Sequence, residues 1–412
     1  MKLQKLLFVG AAAAMLAGTT KADDTINITG SSAFRAAIVK SVVSSYTSVT
    51  AAYTGSSITG GNQQLFKGTY PGIAGTTYVR TAWNGSVEGV LALNAPGTYP
   101  ASYIPTTATT SAVTTGGSAG AYTLTGGTLF AGSLVTATPH FAYSDVYQAS
   151  TPVTNTTYND DQVGVCLFKW LATKGAGAAI SNVSTQLGNA LWTNGNLPLS
   201  LFTGNSTDST KTVYATGRYN GSGTRGTGLA ELGYGVFNTV HQYYLTMSGA
   251  AGTISALTTW PATPTANPTG GTNDATAGNG GYTSGSGVRD AIDGTLASSV
   301  NVDGSTVTGS NIAVVAWLGV TDAATSLTNG AIELKYNGVT YSQTAVQQGQ
   351  YTLWGYEHAL YGTLSTNQAS VKNDIATNIP AAFTFYGAAA SPGLDASTMT
   401  VYRFSDGGLV GP

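Results

Sequence analysis

The sequence has little charge and almost no cysteine. Only 8% of its 412 residues are charged, against about a quarter in ordinary globular proteins, so solubility must rest on Ser, Thr, Asn, Gln and Gly. Its single cysteine, Cys166, excludes an internal disulfide, and its apolar neighbours predict that it packs in the core. The 42% of apolar and 10% of aromatic residues exclude a disordered chain.

Signatures of metal and cofactor sites are also missing. The three histidines, His140, His241 and His358, show no metal-ligand spacing such as HExxH, so each is expected to be structural or exposed. The acidic turn 159–161 lacks the spaced oxygen ligands of a calcium loop and is predicted to be solvated. We therefore expect no metal and no cofactor.

The first 22 residues have the pattern of a bacterial secretion signal. Two lysines precede an apolar run over 6–17, and a small-x-small cleavage site ends at Ala22. Thr19 stands where a lipoprotein would carry its lipidated cysteine, so we expect a free periplasmic or secreted protein with no membrane span. Cleavage removes three of the 16 basic residues, and the remaining 13 face 18 acidic ones, a formal charge of −5 that excludes a nucleic-acid partner.

The stretch 213–237 joins a strand pattern to a helix pattern through a turn rich in Gly, Ser and Thr. Ser222 or Thr224 is the natural N-cap of the helix. Such a helix directs unpaired N–H groups and its positive dipole end at the space above the strand, which suits a phosphate, sulfate or carboxylate. Arg218 at the mouth of the turn can bond two oxygens of a tetrahedral anion. The apolar face of the predicted helix consists of Leu229, Leu232, Val236, Phe237 and Val240.

Other interpretations compete for the glycine-rich motifs. The residues 221–226 satisfy GxGxxG, but a dinucleotide fold needs an acid on the order of 20 residues later, and 232–273 contains no Asp or Glu. A P-loop would need a lysine that is absent here. The residues 116–120 form GxSxG, but neither neighbour suits an esterase elbow. A plain glycine-rich loop before a helix remains open, and we expect no enzyme.

Strand and helix patterns alternate along the mature chain. Strands are predicted at 25–29, 163–170, 311–320, 331–339 and 351–361, helices within 34–46, 87–93, 184–192, 280–296 and 368–385, an inserted hairpin or loop at 94–139 and a surface loop at 248–281. This order predicts an α/β fold with two lobes, each a mixed sheet flanked by helices, and a β-rich insertion. We expect 23–162 and 321–412 in lobe 1 and 163–320 in lobe 2.

Several short segments carry a resemblance to a known family. The segments 29–34, 85–86, 144–145 and 218–224 stand in the order of the anion-contacting segments of PstS-like periplasmic phosphate-binding proteins, the substrate-binding components of ABC transporters. The segments 336–338 and 350–354 are similar to the C-terminal stretch of that family. The resemblance covers most of the mature chain in patches, and 218–224 is its most specific piece.

This resemblance implies a type II periplasmic-binding-protein fold with a buried oxyanion between two lobes. The anion site would consist of Ser31, Ser32, Ala33, Phe34, Ser86, Ser144, Asp145, Arg218, Ser222, Gly223 and Thr224. Asp145 would accept a hydrogen bond from a protonated anion and so favour hydrogen phosphate over sulfate, and Arg218 would balance the charge. The expected function is non-enzymatic capture of phosphate or a similar oxyanion, by a monomer, for an ABC permease.

Some residues depart from the family pattern. Ala33 replaces a threonine found in many members, and Glu88 adds an acid near the expected anion. Arg35 and Arg225 either compensate for it or are solvated residues at helix starts. These departures keep a second hypothesis open, a secreted surface or structural protein that reuses the fold and presents its Thr/Gly/Ala-rich insertion as a contact surface.

Overall fold

A computed structural model of the chain describes residues 23–116, 123–260, 277–384, 386 and 390–412. Four predicted features lie wholly or partly outside the described residues. They are the secretion signal at 1–22, most of the GxSxG motif at 116–120, the proline-containing part of the predicted loop at 261–276 and Phe385 of the predicted last helix. Predictions about these segments stay predictions.

Strands make up most of the regular structure. In chain order they are β1 (Asp24–Gly30), β2 (Ser48–Tyr53), β3 (Gln63–Thr69), β4 (Thr77–Ala82), β5 (Ala101–Tyr103), β6 (Ser111–Gly116), β7 (Thr123–Gly126), β8 (Thr128–Leu129), β9 (Val135–Ala137), β10 (Phe141–Ser144), β11 (Asn159–Ala172), β12 (Asn182–Val183), β13 (Asn196–Pro198), β14 (Thr212–Ala215), β15 (Tyr243–Met247), β16 (Thr253–Thr259), β17 (Thr295–Val302), β18 (Ser305–Thr308), β19 (Ile312–Gly319), β20 (Ile332–Tyr336), β21 (Trp354–Tyr361) and β22 (Gly393–Leu394).

Helices lie between them and cover the sheets. They are α1 (Arg35–Ser45), α2 (Ser86–Asn94), α3 (Thr185–Asn194), α4 (Ser200–Thr203), α5 (Gly223–Glu231), α6 (Gly285–Asp293), α7 (Val320–Thr328), α8 (Gln343–Gln347) and α9 (Thr366–Phe383). Within the part of the chain that the structure describes, no helix has the length and apolar character needed to cross a bilayer.

The first half of the structure is a mixed sheet in the order β21-β10-β1-β4-β3-β2. Its central strand β1 runs parallel to both neighbours, β10 and β4, and its inward residues Ile26 and Ile28 are buried. The helices α1 and α9 pack together, where the rings of Phe34 and Phe383 meet edge to face at 5.3 Å. This helix pair fills the core with apolar side chains at helical spacing.

The second half is a sheet in the order β13-β14-β19-β11, to which β20 and β12 are added. Its core holds three tryptophans in mutual contact. The ring of Trp170 lies 5.5 Å from that of Trp192 and 5.0 Å from that of Trp317. Each large aromatic ring buries about 150–250 Å² of surface, so this cluster contributes strongly to the core of the second sheet.

One long strand, β11, belongs to both sheets. Eight of its first nine residues pair with β21 in the first sheet, with a bulge at Val163. Its last five residues pair with β19, and the last three of these also pair with β20, in the second sheet. The expected α/β fold with mixed sheets and flanking helices is confirmed. Several predicted elements are found to within a few residues. The strands at 25–29, 163–170 and 311–320 correspond to β1, β11 and β19, and the helix at 368–385 corresponds to α9.

Two expectations about loops and turns were wrong. The predicted loop 248–281 contains β16, which belongs to a separate sheet in the order β15-β16-β17-β18. Its Ile254 and Leu257 are buried, so its threonines serve as strand formers rather than loop residues. The acidic turn at 159–161 is the start of β11, and Asp161 pairs with Lys372.

The helix after β14 is shorter than its apolar pattern predicts. It ends at Glu231, and Gly233 and Gly235 follow with φ of +60° and +95°, values that glycine adopts at no steric cost. Val236, Phe237 and Val240 therefore lie beyond the helix, and the Phe237 side chain is 67% exposed.

The strand directions bring the hydroxyl-rich turns together. Because β1 is parallel to β10 and β4, the turns that follow these three strands lie at one edge of the first sheet. In the second sheet β14 and β19 are parallel, so the turn before α5 and the start of α7 lie side by side. Ligands in open α/β sheets bind outside the carboxyl ends of strands, and a cavity lies at that position here.

Candidate functional site

The cavity has a volume of about 410 Å³ and is lined by segments of both halves. The first half contributes the turn after β1 and the loop between β2 and β3. The second half contributes the turn after β14, the start of α6 and the residues after β19. Four of the predicted anion-site residues line it, namely Ser32, Ala33, Arg218 and Thr224.

Arg218 is a buried cation at the wall of the cavity. It is 4% exposed, and its guanidinium donates to the carbonyl oxygens of Tyr282 at 3.1 Å and Thr283 at 2.8 Å and to Ser32 Oγ at 3.3 Å. Among the described residues, no carboxylate oxygen lies within 4.0 Å of it. Burial lowers its pKa, and the nearby Asp145 is one of the groups that act in the opposite direction.

The helices α1 and α5 begin at this cavity, as do α6 and α7, whose N-caps Ser284 and Gly319 also line it. Ala33 before α1 and Arg35 in its first turn line one side, and Thr224 in the first turn of α5 lines another. Ser222 is the N-cap of α5, since its Oγ accepts from the backbone N–H of Arg225 at 3.5 Å. Trp317 Nε1 donates to the carbonyl of Thr224 at 2.7 Å, which ties the start of α5 to the tryptophan core.

Asp145 lies just outside the cavity wall. It is 1% exposed; one carboxylate oxygen accepts from the Ser86 hydroxyl and the other from Thr224 Oγ1 at 3.1 Å. Burial raises its pKa, while the hydrogen bond from Ser86 and the charge of Arg218 act the other way. A Cβ on Gly223 would lie 1.7 Å from Asp145 Oδ1, so only glycine fits at the start of α5.

A second buried carboxyl group stands near Asp145. Glu357 is fully buried on β21, and its Oε2 accepts from Cys166 Sγ at 3.0 Å. Burial raises the pKa of Glu357 well above its ordinary value, and the charge of Asp145 raises it further. The prediction that Cys166 packs in the core is confirmed, with the addition of this polar contact.

The other predicted residues direct their side chains elsewhere. The Phe34 ring belongs to the core under α1 and α9. Ser144 Oγ donates to the Val146 carbonyl at 2.6 Å, within its own turn. Ser31 is fully buried and does not line the cavity.

Four charged residues of the cavity were missed as site residues by sequence reasoning, namely Arg35, Arg289, Asp290 and Asp322. Arg35 donates to the Gly61 carbonyl at 3.2 Å, and burial lowers its pKa to about 10. Arg289 on α6 pairs with Asp290 at 3.0 Å and with Asp322 at 3.3 Å. The sequence contains one indication of this part of the cavity. The Ser/Gly turn at 284–287 is similar in composition to the turn before α5.

Arg225, whose role was left open together with that of Arg35, and Glu88, which was expected near the anion, both differ from the family-based expectation. Arg225 is 4% exposed and donates to the Asn279 carbonyl at 2.8 Å, so it is a buried structural residue and not a solvated one. Glu88 does not line the cavity, and burial raises its pKa. No group of three or more His, Cys, Asp or Glu side chains within the described ranges could hold a metal ion.

Comparison with known proteins gives similarity at the level of solved structures only. No protein-family model matches the chain, and no curated protein matches its sequence. A putative phosphate ABC transporter substrate-binding protein with bound phosphate from Clostridium perfringens has a TM-score of 0.44 and 10% identity, over 87% of this chain and 96% of that one. An ABC-type phosphate transport receptor from Vibrio cholerae has a TM-score of 0.44 and 10% identity, over 88% and 98%.

A third similar chain is PstS from Borrelia burgdorferi, with a TM-score of 0.38 and 10% identity over 85% of this chain and 92% of that one. These are the proteins to which the chain is similar. Its own function has to be inferred from the cavity and the residues around it.

Proposed function

We propose that the protein is an exported, non-enzymatic solute-binding protein that captures phosphate or a similar tetrahedral oxyanion in the cavity between its two halves. The observation that carries this proposal is Arg218, a buried guanidinium with no carboxylate within ion-pair distance in the described chain. An unpaired buried charge is costly. An anionic ligand would supply the missing partner through short, charge-assisted hydrogen bonds.

The surroundings of Arg218 suit an anion in two further ways. The N-termini of α1 and α5 both meet the cavity, and helix N-termini offer unpaired N–H groups and a positive dipole end. The remaining donors near Arg218 are neutral hydroxyls such as that of Ser32. Because segments of both halves line the cavity, a bound anion is shielded from much of the water, which strengthens each of these contacts.

Asp145 supports a preference for an anion that carries a proton. Each of its oxygens already accepts one hydroxyl, but a carboxylate has about four lone-pair positions and keeps the capacity for another bond. Its negative charge beside the cavity disfavours a fully ionised sulfate. A hydrogen phosphate brings a donor for the carboxylate and so has the advantage.

The place of action follows from the N-terminal segment. We infer export to a bacterial periplasm or cell exterior from the signal-like pattern at 1–22. A monomer that delivers the anion to an ABC permease is the use that such a cleft suits best. The alternative of a structural surface protein is not favoured, because it gives no reason for a buried cation at the junction of two helix N-termini.

Calorimetric titration with phosphate, with sulfate as the comparison anion, tests the proposal. Arg218→Ala should weaken phosphate binding by roughly 10- to 100-fold, since a hydrogen bond to a charged group contributes about 1.5–3 kcal/mol. Arg80→Ala is the matched control, because Arg80 is also a buried arginine, 8% exposed, but lies outside the cavity. Equal phosphate affinity in Arg218→Ala and the unmodified protein would refute the site.

A further inference from the structure

The cavity around Arg218 is larger than an inorganic oxyanion needs. Its volume is about 410 Å³, which lies within the range of roughly 300–1,000 Å³ that is typical of sites for organic ligands. A water molecule occupies about 30 Å³ in the liquid, and an anion with four oxygens displaces only a few waters. Phosphate alone would leave most of this volume filled with solvent.

The wall formed by α6 and α7 carries carboxylates. Asp322 Oδ1 accepts from Arg289 Nη1 at 3.3 Å, and Asp290 Oδ1 accepts from Arg289 Nη2 at 3.0 Å. Their side chains remain 31% and 24% exposed, so both reach the cavity. An ionised carboxylate is only an acceptor, which repels a second anion but suits the hydroxyl groups of a ligand.

Hydroxyl side chains line the cavity as well. Ser56, Ser57 and Thr59 come from the loop between β2 and β3. Ser284 and Ser286 come from the start of α6, where their Oγ atoms lie 2.8 Å apart. Each hydroxyl both donates and accepts. Such a lining matches a ligand that presents several hydroxyls of its own.

Basic side chains without an ion pair and carboxylates enter the cavity from different elements. Burial raises the pKa of Asp322, and the charges of Arg289, Arg35 and Arg218 act in the opposite direction, so this carboxylate lies near all three arginines. Arg35 and Arg218 carry no ion pair in the described chain, whereas Arg289 is already paired with two aspartates. The free positive charge therefore lies on the side of α1 and the turn before α5. The negative charge lies on the side of α6 and α7.

We propose that the ligand is a phosphate monoester of a polyol, such as a glycerol phosphate or a sugar phosphate. This inference rests on the proposed anion site and extends it. The phosphoryl group bonds Arg218 and the start of α5. The hydroxyl-bearing part of the ligand lies against Asp322 and the serines of the α6 wall, with its hydroxyls donating to the carboxylate.

Titration calorimetry of the purified protein with inorganic phosphate, glycerol 3-phosphate, glucose 6-phosphate and unphosphorylated glycerol tests the assignment. We expect at least one ester to bind tenfold or more tightly than inorganic phosphate, and glycerol not to bind. If inorganic phosphate binds as tightly as both esters or more so, the inference is overturned and the anion site stands. If no phosphorylated compound binds, the proposed function fails together with it.

The variant Asp322→Asn tests the contact between Asp322 and the ligand hydroxyls. It should lower the ratio of ester affinity to inorganic phosphate affinity by about tenfold, because only the ester has hydroxyl groups that donate to this carboxylate. Asp208→Asn is the matched control, since Asp208 also pairs with one basic side chain, Lys211 at 3.0 Å, but lies outside the cavity. Equal losses for ester and phosphate in Asp322→Asn would overturn the role of Asp322. The ratio of ester to phosphate affinity in the unmodified protein decides the ligand class even if the variant fails to fold.

Discussion

Thr224 Oγ1 donates a hydrogen bond of 3.1 Å to Asp145 Oδ2, across 79 positions of sequence and from one sheet to the other. Thr224 follows a strand of the second sheet, and Asp145 follows a strand of the first. The bond therefore joins the two halves directly beside the cavity. It also gives one oxygen of a buried carboxylate its donor.

Thr224→Val should destabilise the protein, because valine keeps the shape of threonine and removes the donor. A buried acceptor left without its partner costs about 1–3 kcal/mol, and this is the loss we expect in the free energy of unfolding, measured by urea titration. Thr306→Val is the control, because Thr306 is an exposed strand residue. Substitutions at such positions usually change the free energy of unfolding by less than about 0.5 kcal/mol. Equal effects of the two substitutions would show that the bond to Asp145 contributes nothing.

Gly223→Ala should disrupt the start of α5. The added Cβ would lie 1.7 Å from Asp145 Oδ1 and 2.6 Å from Ser86 Oγ, so the carboxylate must move, at a cost of roughly 1–3 kcal/mol for overpacking. Phosphate affinity, measured by calorimetry, should fall with it. Gly226→Ala in the same helix is the control, because its Cβ would meet only Val146 Cγ1 at 3.2 Å. Retained affinity in Gly223→Ala would place the anion away from α5.

Glu357→Gln should change how stability depends on pH. The pKa of Glu357 is raised in the folded state by burial first and then by the charge of Asp145, so folding favours the protonated form. The stability linked to this group is complete below the ordinary pKa of 4.5 and is lost as the pH rises toward the folded-state value.

The neutral glutamine removes this dependence. The free energy of unfolding of Glu357→Gln, relative to the unmodified protein, should therefore rise between pH 4 and pH 8. Cys166→Ala, which keeps the carboxyl group but removes its thiol donor, should retain the original pH dependence. A difference between Glu357→Gln and the unmodified protein that stays constant over this pH range would contradict the assignment.

Glu231→Gln should loosen the far end of α5. Glu231 pairs with Arg403 at 3.0 Å, and both side chains are nearly buried, 8% and 1% exposed. The guanidinium also lies 4.2 Å from the centre of the Trp354 ring and donates to its carbonyl. Removing one partner of a buried pair costs about 3–5 kcal/mol. A double-mutant cycle with Arg403→Met, followed by thermal unfolding, should give a coupling clearly above zero; additive effects would mean that the pair is not coupled.

Local pattern predicted the elements that carry the site. The strand, hydroxyl-rich turn and helix around Arg218 correspond to β14 and α5, and Ser222 is the N-cap that its residue type favours. The helix end was misjudged because the apolar spacing continues past Gly233, while the backbone turns left-handed there. Apolar spacing alone does not mark the end of a helix, and Phe237 continues the spacing although its side chain is exposed.

The far wall of the cavity was not predictable in the same way. Asp322 and Arg289 belong to α7 and α6, 33 positions apart, and nothing in either segment says that it faces Arg218. Their meeting depends on the strand order, in which β19 lies beside β14. The sequence also does not determine the direction of a side chain. Ser144 lies at the end of a central strand, as expected, but its hydroxyl donates to the Val146 carbonyl in its own turn.

The continuity of β11 limits how the two halves can move. No flexible linker joins them along this path; the same 14-residue strand is hydrogen-bonded on one side of the boundary and again on the other. Widening of the cavity must then be distributed over many small changes of φ and ψ in paired residues. We expect a narrow range of opening angles, so that small-angle scattering with and without phosphate gives nearly the same radius of gyration, and affinity depends mainly on the contacts made and little on reorganisation of the chain.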